Sequence, residues 1–255
     1  MIVTIKKDEN EAGKAAGKKA ASLIREAIDV KGSANIILAT GSSQFEVLHQ
    51  LTHEKGIDWN KVTMFHLDEY IGLPVTHKAS FRKYLQERFV EKVPKLKSVN
   101  FINGEAHTQN ECERLEGLIQ QSTVDVAVVG IGENGHLAFN DPPADFETKR
   151  SFLVVNLDDV CRKQQVNEGW FKTINEVPQQ AISMSVYQIM LSEHIVCTVP
   201  GARKAEAVQH TLEEDVSRLW PASILQQHTD CYLYLDDASA SLLKNKESYI
   251  SWNSK

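Results

Sequence analysis

The sequence is poor in cysteine, in positive charge and in long apolar runs, and each shortage excludes a class of protein. Its four cysteines are widely and irregularly spaced, and no two of them form a CxxC pair: Cys112, Cys161, Cys197 and Cys231. Disulfide-built domains and zinc ribbons depend on dense or paired cysteines, so neither is expected. The thiols are instead expected to be reduced.

Positive charge is outnumbered, with 28 lysine and arginine residues against 34 aspartate and glutamate residues and a formal net charge of −6. Non-specific binding to nucleic acid or to an anionic membrane depends on excess positive charge, so neither partner is expected. No stretch approaches the roughly 18 apolar residues of a membrane span. Asp8 and Glu9 interrupt the segment in which a signal peptide needs an apolar run. The expected location is the cytoplasm.

The sequence does contain an alternation of short apolar runs and amphipathic segments, and 42% of its residues are hydrophobic. The apolar runs predict strands at 35–40, 62–67, 124–130, 151–157, 194–199 and 231–236. Helical spacing predicts helices at 14–28, 43–56, 80–93, 111–121 and 201–214. Such an alternation predicts an α/β fold with one doubly wound, mostly parallel sheet and helices on both faces, similar to a Rossmann fold. A single domain over residues 1–255 is expected.

Polar segments follow three of the predicted strands. They read ATGSS, DEYIGL and IGENGHLAFND, at 39–43, 68–73 and 131–141. In doubly wound sheets the ligand crevice lies beyond the carboxyl ends of the strands. Three such strand ends in one sheet indicate a functional site more specifically than any one of them.

The first segment has the composition of an anion-binding turn. A glycine that permits positive φ and two serines stand at a predicted helix start, where free amides and the helix dipole favour phosphate. The same residues also suit an ordinary helix cap. The turn has neither a GxGxxG pattern nor the Gly-Lys-Ser/Thr ending of a nucleotide-binding loop, so ATP and NAD are not indicated.

The second segment places Asp68 and Glu69 directly after an apolar strand. A carboxylate that is partly desolvated at a strand end has a raised pKa and can accept a proton. The alternatives are a turn or cap role for Asp68 and a solvated charge for Glu69. His66 and Asp68 alternate along the strand, which also makes a metal pair conceivable, but no third ligand is evident from the spacing.

The third segment is the most informative. His136 lies among glycines rather than in an amphipathic helix, and Asp141 follows five residues later, ahead of two prolines. A carboxylate near a histidine fixes its tautomer and raises its basicity, so the pair suits proton transfer. The alternative is a loop histidine that caps backbone carbonyls.

Together the three segments resemble, in order and spacing, the motifs of the glucosamine-6-phosphate deaminase (isomerase) family. A weaker similarity extends over most of the chain, including 175–184 and 201–208. The resemblance implies that Asp68 takes the proton from carbon 2 of the open-chain sugar, that His136 assists ring opening, and that Asp141 is its acidic partner. Asn134 stands at a position that is Asp in some members.

The resemblance also implies a phosphate-binding set made of the first segment and one lysine: Thr40, Gly41, Ser42, Ser43 and Lys204. No cofactor and no metal are expected, since the implied reaction opens the sugar, moves a proton and releases ammonia without redox chemistry. The implied partner is an amino-sugar phosphate. A homo-oligomer is possible.

Two departures from the family pattern stand out. Asp141 replaces the usual Glu and is one methylene shorter, so the histidine loop must lie closer to it or use a water. An arginine that family members place near Glu168 for the phosphate is absent, and spacing does not decide whether Arg162, Lys163 or Lys172 replaces it.

Three alternatives to a glucosamine 6-phosphate deaminase stay open. The altered region around Glu168 leaves another amino-sugar phosphate, such as galactosamine 6-phosphate, as a substrate. A 6-phosphogluconolactonase has a related fold and a glycine-rich histidine motif, but its second motif lacks DEYIGL. A sugar-phosphate-binding module of a transcription regulator would need a DNA-reading element, for which the N-terminal segment is too short.

Overall fold

The computed structural model describes residues 1–246 and Tyr249, so the last part of the predicted 1–255 domain (247, 248 and 250–255) lies outside the described residues. The strands are β1 (Ile2–Lys6), β2 (Ala34–Leu38), β3 (Val62–His66), β4 (Asp68–Tyr70), β5 (Ser98–Asn100), β6 (Val126–Val129), β7 (Phe152–Asn156), β8 (Gln180–Met184), β9 (His194–Val199) and β10 (Cys231–Asp236). The α-helices are α1 (Glu9–Lys31), α2 (Phe45–His53), α3 (Phe81–Leu85), α4 (Thr108–Ile119), α5 (Asp159–Asn167), α6 (Val186–Met190) and α7 (Ala205–Glu213).

A seven-stranded sheet in the order β1-β10-β9-β6-β2-β3-β5 is parallel throughout, which confirms the predicted α/β class and mostly parallel sheet. Successive side chains of a strand point to opposite faces. In β2, Ile37 packs into one apolar core while Ile36 and Leu38 pack into another. Residues of α4 and α7 complete the first core, and residues of α1 and α2 complete the second. Helices therefore cover both faces of the sheet.

The apolar run at 151–157 does not belong to this sheet, and its predicted place there is wrong. It forms β7, which pairs antiparallel with β8, and β8 pairs antiparallel with β4 in a separate three-stranded sheet. Exposure along β7 shows why, since Val154 is 42% exposed and Asn156, on the same face two residues later, is exposed too. One side of β7 faces solvent, as antiparallel sheets allow and buried parallel sheets do not.

The helix predicted over 80–93 is confirmed only in its first part. Ser80 caps α3 by accepting a hydrogen bond from the Lys83 amide (3.4 Å), but Gln86–Val90 winds as a π-helical turn. The turn closes with a hydrogen bond from the Glu91 amide to the Gln86 carbonyl (3.0 Å). Within the described part of the chain, no helix is long and apolar enough to cross a membrane.

The order of the strands places a crevice between β2 and β6. From β2 the chain runs to β3 and β5 on one side, whereas β6 leads to β9 and β10 on the other. In open α/β sheets such a reversal leaves a gap at the carboxyl ends of the two strands, where ligands bind.

Candidate active site

A cavity of about 320 Å³ opens at this crevice. Seven of the residues that the sequence assigned to a site line it: Thr40, Gly41, Ser42, Ser43, Asp68, His136 and Lys204. Asn134 and Asp141 do not line the cavity but contact each other and His136 behind its wall. The structure therefore brings together residues that are up to 164 positions apart, from Thr40 to Lys204 (204 − 40).

One end of the cavity is built from two turns of the same shape, which follow β2 and β9. Gly41 and Gly201 both have φ of 93°, in the left-handed region that favours glycine. The Gln44 amide donates to the Gly41 carbonyl (3.1 Å), and the Lys204 amide donates to the Gly201 carbonyl (3.0 Å). Each turn leads directly into a helix, α2 or α7. Two helix starts thus direct free amides toward one space, an arrangement that favours an anion.

Lys204 provides the buried positive charge at this end. Lys204 is only 8% exposed, and no described residue forms a hydrogen bond or ion pair with its ammonium group. Burial lowers the pKa of Lys204 below its ordinary value, although the carboxylates of Glu168 and Glu133 oppose that effect. A buried, unpaired ammonium is costly unless an anion joins it.

Arg203 also lines the cavity, and the sequence analysis missed it. Its Nε lies 3.4 Å from Oε1 of Glu133, and its side chain is 56% exposed. The sequence signal for Arg203 was its place beside Lys204, shortly after Gly201. None of the three cations considered from the sequence replaces the family arginine in the cavity. Arg162 donates to the carbonyls of Ile174 and Val177. Lys163 and Lys172 are exposed and lie outside the cavity wall.

The wall where the family arginine was expected is made instead by Gln164, Gln165 and Glu168. The Glu168 carboxylate accepts hydrogen bonds from Nε2 of Gln164 (2.8 Å) and from Nε1 of Trp170 (3.2 Å). Glu168 is thereby held in a fixed orientation, and this side of the cavity presents amides and a carboxylate rather than a cation.

Asp68 is the carboxylate at the other end of the cavity. It begins β4, separated from the end of β3 by one residue, is only 6% exposed, and receives no hydrogen bond from the described residues. Burial, with a smaller contribution from the neighbouring Glu69, raises the pKa of Asp68 to about 8. Such a group has a high affinity for a proton and suits general base chemistry.

Unlike Asp68, Glu69 has a carboxylate that accepts several hydrogen bonds, and the alternative that it is a solvated charge is wrong. It is completely buried, and its carboxylate accepts hydrogen bonds from the amide of Arg82 (2.8 Å), the hydroxyl of Ser80 (2.9 Å) and two further amides. Burial raises the pKa of Glu69 even though these hydrogen bonds oppose it. Glu69 thus ties β4 to the start of α3, while Asp68 faces the cavity.

His136 is held against the cavity by the shape of its own loop. The Gly132 amide donates to the His136 carbonyl (2.9 Å), and a Cβ at Gly132 would overlap the imidazole ring. Only glycine permits this close approach. The His136 amide in turn donates to Oδ1 of Asn134 (3.2 Å).

A polar cluster behind His136 holds Asp141 in place. Nδ1 of His136 lies 3.2 Å from Oδ1 of Asp141, so the shorter aspartate reaches the imidazole directly. Asn134 donates to Asp141 (3.0 Å) and to Asp158 (3.1 Å), and the Asp158 amide donates to Asp141 (3.0 Å). Burial alone would raise the pKa of Asp141, but His136 and these donors together lower it. Asp141 therefore stays ionised beside the imidazole.

His66 lies outside the site. It is completely buried, and burial together with the positive charge of Arg82 lowers its pKa to about 3. Its ring is neutral and faces the Ile102 amide rather than the cavity. Among the described residues, no group of three potential metal ligands includes His66 or Asp68.

Comparison with known proteins agrees with this geometry, which is that of an α/β site for a small anionic molecule. Residues 7–233 match the model of the family described as glucosamine-6-phosphate isomerases/6-phosphogluconolactonase. The chain belongs to this family, and the resemblance noted in the sequence is confirmed.

Individual relatives cover most of the chain. A glucosamine-6-phosphate deaminase of an Exiguobacterium species is 37% identical over 242 residues, 94% of this chain and 91% of the relative. A glucosamine-6-phosphate deaminase of Bacillus cereus is 34% identical over 86% of this chain and 82% of its own length.

Solved structures also match. That of a monomeric glucosamine-6-phosphate deaminase superposes with a TM-score of 0.86 at 31% identity, covering 95% of this chain and 100% of the other. The 6-phosphogluconolactonase of Trypanosoma brucei has a TM-score of 0.77 at 17% identity, over 94% of this chain and 97% of the other. The latter likeness concerns the fold alone.

Proposed function

We propose that this protein converts glucosamine 6-phosphate and water to fructose 6-phosphate and ammonia. The observation that carries the proposal is that one cavity holds both a buried, unpaired ammonium (Lys204) and a buried carboxylate with raised pKa (Asp68). The first suits a phosphate and the second suits abstraction of a proton next to a carbonyl. The deaminase relatives support the choice of an amino sugar.

In the first step the sugar phosphate binds and its ring opens. The phosphate lies against the amides and hydroxyls of residues 40–43 and against Lys204, with Arg203 as a second cation. His136 moves a proton between the ring oxygen and the anomeric hydroxyl, which gives the open-chain aldehyde. Asp141 acts behind it, because its carboxylate lies 3.2 Å from Nδ1 of the imidazole, and Asn134 holds Asp141 in place through a hydrogen bond.

In the second step Asp68 takes the proton from carbon 2, and the electron pair moves to form an enolamine. A proton returned to carbon 1 gives the imine of the ketose. Water then adds to carbon 2, the carbon–nitrogen bond breaks, and ammonia leaves. The raised pKa of Asp68 matches this cycle, since the group both accepts and returns a proton.

The wall formed by Gln164, Gln165 and Glu168, where the family arginine was expected, keeps galactosamine 6-phosphate as one second candidate. Carboxylate and amide groups of fixed orientation discriminate between hydroxyl positions, because a mismatched hydroxyl leaves a buried polar group unpaired. The two sugars differ at one hydroxyl, so both belong in the test.

The test is an ammonia-release assay of the purified protein with both amino-sugar phosphates, coupled to detection of the keto product. We expect ammonia and fructose 6-phosphate in equal amounts from glucosamine 6-phosphate. A higher kcat/KM for the galactose epimer would transfer the assignment to that sugar. Hydrolysis of 6-phosphogluconolactone without ammonia release from either sugar would refute the proposal.

We also propose a cytoplasmic location. The four cysteines are free and buried, as expected in a reducing compartment where disulfides are rare. Fractionation of the source cells with an antibody to the protein tests this, and recovery in a secreted fraction would refute it.

A further inference from the structure

Cys161 lies directly behind the proposed catalytic histidine. It occupies the first turn of α5, where its amide donates to Oδ1 of Asp158 (2.6 Å), and the residue is completely buried. Its Sγ, a ring nitrogen of His136 and a carboxylate oxygen of Asp141 lie within 4.8 Å of one another. No step of the proposed reaction uses this thiol.

Nδ1 of His136 is the second unusual feature at this place. The residue is 8% exposed, yet Nδ1 has no hydrogen-bond partner among the described residues. Oδ1 of Asp141 is 3.2 Å away, but the two groups are not aligned for a hydrogen bond. A buried nitrogen without a partner is costly, and a third group bound by both atoms would relieve that cost.

A thiolate, an imidazole and a carboxylate are the ligand types that Zn²⁺ prefers. Zinc–ligand bonds of about 2.0–2.3 Å in tetrahedral geometry separate neighbouring ligand atoms by roughly 3.3–3.8 Å. The spacing of the three side chains fits this range with small movements. Asp141 already has the outer hydrogen bonds typical of a metal ligand, from Asn134 (3.0 Å) and from the Asp158 amide (3.0 Å).

We propose that Cys161, His136 and Asp141 form an inhibitory site for a thiophilic divalent cation such as Zn²⁺. The bound ion occupies Nδ1 of His136 and the Asp141 carboxylate, so the imidazole loses the partner behind it and no longer transfers protons for ring opening, which stops the reaction. The inhibitory effect rests on the proposed function, whereas the binding itself does not.

Cobalt binding to the purified protein tests the site without using activity. Co²⁺ bound to a thiolate gives a sulfur-to-metal charge-transfer band, which we expect in the wild type and in Cys112→Ala. Cys112→Ala is the matched control, because Cys112 is another buried thiol, on α4 and outside the cavity wall. In Cys161→Ser and Cys161→Ala the band disappears and Zn²⁺ affinity falls about 100-fold or more, a larger loss than for an outer-shell change.

Inhibition provides the second readout. Zn²⁺ is expected to inhibit ammonia release by the wild type and by Cys112→Ala, with recovery on adding a chelator, and to inhibit the Cys161 variants far less. A wild-type protein without the band, or a band that persists in both Cys161 variants, would overturn the proposal. Absence of ammonia release with the band intact would count against the proposed function and leave the metal site standing.

Discussion

The two ends of the cavity are built by different means. The end that suits phosphate consists of two similar turns after β2 and β9, on either side of β6 in the parallel sheet, and its donors are backbone amides, hydroxyls and Lys204. The other end depends on β4, which belongs to the antiparallel sheet, and on a glycine loop supported by Asn134 and Asp141. Each turn of the first end is shaped by its own few residues, whereas the second end depends on contacts with other segments of the chain.

This difference separates binding from chemistry. Amides and an ammonium act equally on a phosphate before and during the reaction, so they contribute uniform binding. The carboxylate of Asp68 and the imidazole of His136 act on atoms whose bonding changes. Substitutions at the two ends should therefore affect different kinetic parameters.

Asp68→Asn should have the largest effect. The amide keeps the size of the carboxylate but cannot accept the proton from carbon 2, and general base groups contribute about 10²–10⁴-fold. We expect kcat to fall by that factor, with little change in the affinity for an unreactive substrate analogue measured by calorimetry. Near-normal turnover would remove Asp68 as the base.

The free energy of unfolding of Asp68→Asn is the control for misfolding. The pKa of Asp68 is raised on folding, so its folded-state proton affinity exceeds that of the unfolded chain, and its stabilising contribution declines as pH rises from about 4 to about 8. At pH above 8 the variant, which has no charge to bury, should be at least as stable as the wild type. A destabilised variant would make its lost activity uninformative.

His136→Ala should have the next largest effect, and it should depend on the substrate. Removal of the imidazole abolishes proton transfer at the ring oxygen, so kcat/KM for the closed sugar falls by roughly 10²-fold or more. An analogue that lacks the ring-closing hydroxyl needs no such step and should lose much less. Equal losses for the two compounds would contradict a role in ring opening.

Lys204→Ala tests the phosphate end and should mainly raise KM. A hydrogen bond to a charged group contributes about 1.5–3 kcal/mol, which corresponds to roughly a tenfold to hundredfold increase. Arg203→Ala should have a smaller effect because its side chain is 56% exposed. Lys163→Ala, an exposed lysine outside the cavity wall, is the matched control. An unchanged KM in Lys204→Ala would place the phosphate elsewhere.

The same contrast explains how much could be predicted from the sequence. Five of the six predicted strand runs lie in the parallel sheet, because buried strands there are apolar on both faces. The phosphate turn was also evident, since glycine and serines between a strand and a helix act locally. Strands β1, β4, β5 and β8 were missed, and for β4 and β5 the reason is their length, because three residues carry little periodicity.

The end of the cavity that holds Asp68 and His136, the acid end, shows the limit of sequence reasoning. Spacing identified Asp68 and His136 as candidates, but the difference between Asp68 and Glu69 arises from contacts with Ser80 and Arg82 on a later segment. Likewise, Cys161 had no visible motif around it, and only the folded chain brings it behind His136. The extent of the domain over 1–255 and a homo-oligomer stay predictions.

Glu69→Gln should have the smallest effect on activity and gives the most specific test of the acid end. Glu69 raises the pKa of Asp68 through its charge, so a neutral glutamine of the same shape should lower that pKa from about 8. The base is active when ionised, and the rising limb of kcat/KM against pH should therefore move to lower pH. A displacement of one pH unit changes the rate by about tenfold at most.

The substrate titrates identically in both assays, so the difference between the two profiles reports the enzyme alone. The glutamine amide will also face the donors of Ser80 and Arg82, which destabilises the start of α3. Chemical denaturation measures that cost separately from the pH profile. If the limb stayed in place in a folded variant, the charge of Glu69 would have no part in tuning Asp68, and burial alone would account for the proton affinity of the base.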